Sequence, residues 1–233
     1  VYLLLTACGL ALVSCKGDPP IDTYTEKKIL VLGNSTEPQG LDPQIVTGVI
    51  ESNIIRALFE GLCVEHPSKQ GIHLPGAAAS WQANDDFTEW TFQLRKDGKW
   101  SDGTPLTAED FLFSYQRILH PDFGAEYAGM LYYIQGAERY NKRKTEDFSS
   151  VGVSAPDPYT LKIKLKASIP FLPDLTKHYT WYPVPKHIIL KHGSIDQRNT
   201  PWTEPENIVS NGPFILKQWR LNDYIHAEKN ANY

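Results

Sequence analysis

The stretch that decides the fold reads Trp90-Thr91-Phe92-Gln93-Leu94-Arg95, then Lys96-Asp97-Gly98-Lys99, then Trp100-Ser101-Asp102-Gly103-Thr104-Pro105-Leu106, then Thr107-Ala108-Glu109-Asp110-Phe111. Its first part alternates apolar and polar residues with period two, which predicts a half-buried strand. Lys96 to Lys99 supplies Asp-Gly turn chemistry, and Trp100 to Pro105 forms a second turn-rich segment. Thr107 then opens a helix as N-cap, with Glu109 and Asp110 in the first turn, where acids favour the helix dipole. Phe111, Tyr115, Ile118 and Leu119 recur at helical spacing and give that helix an apolar face.

The same alternation of elements extends outward in both directions. Ile29-Leu30-Val31-Leu32-Gly33 is a short apolar run that reads as a buried strand. Val49 to Leu62 carries Ile50, Ile54, Ile55, Leu58 and Leu62 at helical spacing, with Gly61 as a candidate end. Downstream, Asp157-Pro158-Tyr159 turns into Thr160-Leu161-Lys162-Ile163-Lys164-Leu165, a second strict alternation. Asn211-Gly212-Pro213 reads as a bend into a strand, Phe214-Ile215-Leu216, and Trp81, Trp90 and Trp219 read as core. The polar Trp100 to Pro105 segment is read as structural turn chemistry, not as a site.

The N-terminus carries a different signal. Val1 to Val13 is apolar or small throughout, and at 1.5 Å per residue it reaches roughly 20 Å, short of a ~30 Å hydrocarbon core. It therefore reads as the apolar part of a signal peptide, residues 1–15, ending in Leu12-Val13-Ser14-Cys15. The absence of a basic leader, and of Met at position 1, suggests a clipped start. The terminal tetrapeptide resembles a bacterial lipobox, which implies that Cys15 carries a lipid, each buried CH₂ of which is worth ~0.8 kcal/mol of membrane anchoring. The alternative is an ordinary signal peptide with a chance Cys. Residues 16–28, beginning Lys16-Gly17-Asp18-Pro19-Pro20, read as a flexible tether. With Cys8 and Cys15 in the leader, Cys63 has no intramolecular partner and reads as a small buried hydrophobe.

Composition narrows function by exclusion. The 233 residues are 41% hydrophobic and 21% charged, enough for a sizeable core, and the net charge of −4 gives no basic footprint for nucleic acid. None of the seven histidines stands in a metal-protease spacing, so no metal site and no cofactor is expected. His187 and His192, five apart, would lie about 140° apart on a helix. No G-x-S-x-G elbow or phosphate-cradling loop is present, and Asp85-Asp86 reads as a solvated turn, so no catalytic residue is assigned. A cell-envelope hydrolase and a lipid-anchored interaction module remain as alternatives of other classes.

Four stretches, in order, resemble the bacterial solute-binding proteins of family 5, the peptide and nickel receptors of ABC importers, and among them the oligopeptide receptors. The first is Gly40-Leu41-Asp42-Pro43 with Glu51-Ser52-Asn53 and Leu58-Phe59-Glu60-Gly61-Leu62. The second runs from Trp90 to Phe111, the third is Val184-Pro185-Lys186, and the fourth is Asn211-Gly212-Pro213-Phe214. The resemblance implies a two-lobed α/β fold of the periplasmic-binding-protein type II class that closes on its solute. It further implies that this chain is the N-terminal part, with the second lobe missing. The implied division is 29–59 in the first lobe, 60–185 as a small inserted domain and 186–233 as the return to the first lobe. The implied ligand is an oligopeptide held by strand addition, and the implied partners are an ABC permease and its ATPase. Related receptors take dipeptides, nickel complexes or oligosaccharides, so those solutes stay open.

Residue by residue, the resemblance places Thr47, Gly48, Val49 and Tyr127 against the ligand. The family carries an acid where Thr47 stands, which puts charge pairing there in question and leaves the backbone contacts. Gly48 lacks a Cβ and can let backbone approach backbone, or it is simply a glycine at a helix start. Tyr127 can stack on a peptide plane and donate one hydrogen bond, or it is core filler.

Overall fold

The computed structural model describes residues 21–233. In chain order the helices and strands are α1 (Ile21–Glu26), α2 (Val49–Leu58), β1 (Cys63–Glu65), β2 (His73–Pro75), β3 (Ala78–Ala83), β4 (Glu89–Leu94), α3 (Ala108–Leu119), α4 (Ala137–Asn141), β5 (Val153–Asp157), β6 (Thr160–Lys164), α5 (Leu172–Leu175), α6 (Lys186–His192), β7 (Phe214–Arg220) and β8 (Tyr224–Lys229). The chain divides at Asn34–Ser35 into two units.

Of the first unit, the described part holds α1 and the apolar run that follows it. The strand expected at Ile29–Leu32 does not form, and these side chains are 48, 80, 65 and 75% exposed. A strand is defined by its ladder, and among the described residues no strand pairs with this one. The proposed lipidation residue, Cys15, lies outside the described residues.

The second unit is built on a four-stranded antiparallel sheet in the order β3-β4-β6-β5. Both alternating sequences fall in its centre, where Trp90 pairs with Ile163 and Phe92 with Leu161. All four side chains are buried, because period-two patterning puts them on the one face that α3 and its neighbours cover. Helix α3 forms where it was expected. Phe111, Tyr115, Ile118 and Leu119 are fully buried, and the Asp110 carboxylate accepts the Thr107 amide at 2.9 Å. Two-stranded ladders, β1-β2 and β7-β8, complete the unit.

Two readings shift and a third holds. Helix α2 ends at Leu58, before Gly61. The glycine serves a close approach instead, since a Cβ there would lie 2.3 Å from the Thr176 carbonyl oxygen. Trp90 is core, but Trp81 and Trp219 are only partly buried. The fully buried tryptophans are Trp100, Trp181 and Trp202. Cys63 is buried as expected, and desolvation pushes its thiol up to about 11.

Candidate functional site

The loop before α2 is held from below by a charged clasp. Asp42 receives two hydrogen bonds from the Arg117 guanidinium, at 3.1 and 2.8 Å, and one from Trp202 Nε1 at 3.2 Å. Arg117 also donates to Gln44 Oε1 at 2.9 Å, and Gln44 Nε2 donates to the Ser114 carbonyl at 2.7 Å. The guanidinium lies 4.1 Å from the centre of the Phe123 ring. Arg117 is completely buried and Asp42 is 7% exposed, so the pair is a closed structural clasp and not an open binding group. This accounts for Gly40-Leu41-Asp42-Pro43.

Beyond the clasp the backbone surfaces. Thr47 and Val49 are exposed, and Gly48, the residue before the first turn of α2, is extended at φ −85° and ψ 153°. That backbone conformation suits any residue. A side chain at Gly48 would have to displace Glu51, whose Oε2 lies 2.0 Å from where a Cβ would stand. Glu51 is itself buried, and its Oε1 accepts the Gln39 amide at 2.8 Å. Among the described residues, the amide N–H groups of Thr47 and Gly48 meet no acceptor.

Aromatic rings flank this backbone. Tyr127 Oη donates to the Thr47 carbonyl at 3.3 Å, and Tyr179 Oη donates to the Val46 carbonyl at 3.2 Å. The two rings are 6.5 Å apart, and His178 lies 6.2 Å from Tyr127. Burial pushes the Tyr179 phenol up to about 12. The structure therefore brings Thr47, Gly48, Val49 and Tyr127 together, although 80 residues separate Thr47 from Tyr127. The sequence reading missed Tyr179 and His178. Their only signal was an aromatic cluster, His178-Tyr179 with Trp181-Tyr182, in a loop with no periodicity.

The other conspicuous motifs are structural. In the Trp100 turn, Gly103 N donates to the Trp100 carbonyl at 2.9 Å and Thr104 N to Asp102 Oδ1 at 2.9 Å. Asp102 Oδ2 also contacts His187 Nε2 at 2.8 Å, tying the turn to α6. The Asn211 amide brackets Glu60, accepting from its N–H at 3.1 Å and donating to its carbonyl at 2.9 Å. Val184 N donates to Ser114 Oγ at 2.7 Å, fixing the approach to α6. His120, Asp122 and Asp196 bring ligand atoms within 4.8 Å of one another at the surface, a grouping that linear spacing does not show. Asp122 pairs with Arg143, and Asp196 accepts the Ser194 hydroxyl at 2.6 Å. A separate cleft of about 260 Å³ involves Arg56, Glu60, Glu65, Lys177, Tyr182 and Tyr233, and none of the four expected ligand residues lines it. Burial raises the Glu60 carboxyl there above its ordinary value, partly offset by the Tyr233 hydrogen bond.

A mixed α/β unit with an open, extended backbone segment between aromatic rings is the kind of surface on which a solute receptor can grip a chain-like ligand. Comparison with known proteins gives the class: residues 74–233 match the model described as bacterial extracellular solute-binding proteins, family 5 Middle, and the chain belongs to that family. It is 42% identical over 233 residues to the periplasmic oligopeptide-binding protein OppA of Escherichia coli (strain K12), covering 99% of this chain and 41% of that one. It is 35% identical to the periplasmic murein peptide-binding protein MppA of the same organism, over 98% of this chain and 42% of that one. The crystal structure of Haemophilus influenzae OppA in complex with RPPGFSPFR superposes with a TM-score of 0.79 at 37% identity, covering 86% of this chain and 38% of that one. The chain thus spans about two fifths of the length of these relatives, and the α/β periplasmic-binding-protein fold is shown for that span.

Proposed function

We propose that this chain is part of a non-catalytic receptor that captures oligopeptides outside the cytoplasm and delivers them to an ABC permease with its ATPase. The observation that carries the reading is the Thr47–Gly48 segment, Thr47 exposed and Gly48 extended, whose two N–H donors meet no acceptor among the described residues and lie beside Tyr127. Main-chain pairing of this kind holds a peptide without reading its sequence. The names of the relatives, oligopeptide-binding and murein peptide-binding proteins, support the same solute class. Thr47, Gly48, Val49 and Tyr127 are the assigned ligand residues. Residues 29–59 and 186–233 belong to one lobe and 60–185 to an inserted domain. Export ends with a lipid on Cys15, which tethers the receptor to the membrane. Among the described residues no helix is long and apolar enough to cross a membrane.

Calorimetric titration of the full-length protein with tri- to pentapeptides tests the solute. Saturable binding with no release of amino acids is expected. Silence with every peptide, alongside binding of a nickel complex or an oligosaccharide, overturns the assignment, and turnover of peptide overturns the non-catalytic role. Cys15→Ser should move the protein from the membrane fraction to the soluble fraction and abolish incorporation of labelled fatty acid.

A further inference from the structure

Away from the peptide patch, the fold gathers metal-ligating atoms from distant parts of the sequence. His120 closes α3 as its C-cap, Asp122 follows two residues later, and Asp196 stands in the loop after α6. One atom of each, an imidazole nitrogen and two carboxylate oxygens, lies within 4.8 Å of the other two. The two segments are held together without help from these three side chains, because Arg198 donates to the carbonyls of Phe123 and Gly124, at 3.2 and 2.9 Å. His120 Nδ1 accepts the Asp122 amide at 3.2 Å, so the lone pair of the neutral ring lies on the Asp122 side. The ring packs edge-on against Tyr140, with centroids 6.4 Å apart. Asp196 accepts the Ser194 hydroxyl at 2.6 Å and, among the described residues, forms no ion pair with Lys or Arg. Asp122 pairs with Arg143, but both of those side chains are exposed, so the pair holds Asp122 weakly.

We propose that His120, Asp122 and Asp196 form a binding site for one zinc-like divalent cation, with water completing its coordination. One imidazole nitrogen with two carboxylates is a mixed N/O donor set, which suits zinc better than calcium or magnesium, whose ligands are oxygens. Zinc bonds of ~2.0–2.2 Å place neighbouring ligand atoms about 3.4 Å apart, so the three draw in from their present spacing, a closure within reach of side-chain rotation. The two carboxylates balance the charge of the cation. On binding, the cation displaces Arg143 from Asp122 and takes the Nδ1 lone pair from the Asp122 amide. Under the domain division proposed above, His120 and Asp122 belong to the insert and Asp196 to the return into the first lobe, so the cation staples one to the other. None of the residues assigned to the peptide takes part, and the site stands or falls apart from the peptide reading.

Calorimetric titration of the metal-free full-length protein, purified without a histidine tag, with zinc chloride tests the site. One zinc per chain is expected, together with a melting temperature that rises with added zinc. Loss of a ligand should cost more than the ~10-fold that loss of an outer-shell partner costs, so His120→Ala and Asp196→Asn should each weaken zinc binding by more than about tenfold. Arg143→Ala should act with the opposite sign and tighten binding about two- to fivefold, because Asp122 loses its competitor. No zinc binding by the wild type overturns the proposal. So does binding by His120→Ala within about twofold of wild type, or unchanged or weaker binding by Arg143→Ala. If a variant does not fold, X-ray absorption at the zinc edge of the wild-type complex decides. One imidazole with oxygen ligands is expected, and two or more imidazoles or any sulfur overturns the assignment.

Discussion

Asp42 and Thr47 lie five residues apart on one loop, and both sit among polar and aromatic groups, yet they end in opposite ways. Around Asp42, the carboxylate, the two terminal guanidinium nitrogens and the carboxamide bond to one another beneath Phe123 and Trp202, while Arg117 Nε is buried without a partner. Around Thr47, the carbonyl is taken by Tyr127 while the Thr47 and Gly48 amides have no acceptor among the described residues. A paired ion in a sealed place holds a fold; donors without an acceptor on an exposed backbone are available to a ligand. The clasp is what makes the open segment rigid enough to be useful, because it pins the loop to α3 three residues before the backbone surfaces.

The contrast breaks most visibly at the clasp. Asp42→Ala leaves Arg117 buried with no counter-charge, and a loss of about 3–5 kcal/mol is expected in denaturant unfolding. Replacing both partners by apolar residues, Asp42→Leu with Arg117→Met, should cost far less than the single change. A single-variant loss below about 1 kcal/mol would mean the pair is wetter than its burial implies.

A smaller effect is expected where the two regions meet. Gly48→Ala suits the local φ and ψ, but its Cβ needs the space that Glu51 Oε2 occupies. Glu51 must move and release the Gln39 amide, at about 1–2 kcal/mol. In a Gly48→Ala, Glu51→Ala cycle the two changes should be strongly non-additive, since either one removes the same contact. Additive effects would place the cost in the backbone instead.

At the open patch the sign of the comparison reverses. Tyr127→Phe removes a hydrogen bond at an exposed carbonyl, so stability should change by no more than about 0.5 kcal/mol. If the proposed peptide site is right, affinity should nonetheless fall about fivefold, ~1 kcal/mol, because the phenol fixes the Thr47 carbonyl beside the two amides that lack an acceptor. Equal affinity with lost stability would reclassify Tyr127 as core.

How much of this was legible depends on whether the signal was local. The sheet centre and α3 announced themselves because Trp90 to Leu94, Thr160 to Lys164 and Phe111 to Leu119 write their burial as periodicity. The Asp102-Gly103 turn was legible for the same reason, since Thr104 bonds back to the adjacent Asp102. Ile29–Leu32 misled because an apolar run specifies a side-chain preference and not the partner a ladder needs. The clasp was invisible because Asp42, Arg117 and Trp202 meet only through the fold, 75 and 160 residues apart. Of the candidate site, Thr47, Gly48, Val49 and Tyr127 are named by family resemblance and their ligand role is a proposal, whereas His178 and Tyr179 lie in an aperiodic loop that only packing brings to Tyr127.

The finest test of that last juxtaposition needs no ligand. Burial, then Arg56, lowers the His178 imidazole below 6.5, so between that lowered value and 6.5 the native state holds fewer protons than the unfolded chain. Stability must then rise with pH across that window. The contribution of the neutral ring is complete above about 6.5 and is lost as the pH falls through the window. Tyr179, up at about 12, stays protonated throughout, so it does not add to the slope. His178→Phe keeps the stacked ring and deletes the titration, and subtracting its melting curves from wild type removes every other group. The wild-type melting temperature should fall more than that of the variant between pH 7 and pH 5.5, by far less than Asp42→Ala costs at any pH. Parallel curves would place the imidazole in water, out of the stack between Tyr127 and Tyr179, and the patch would lose the ring that closes it.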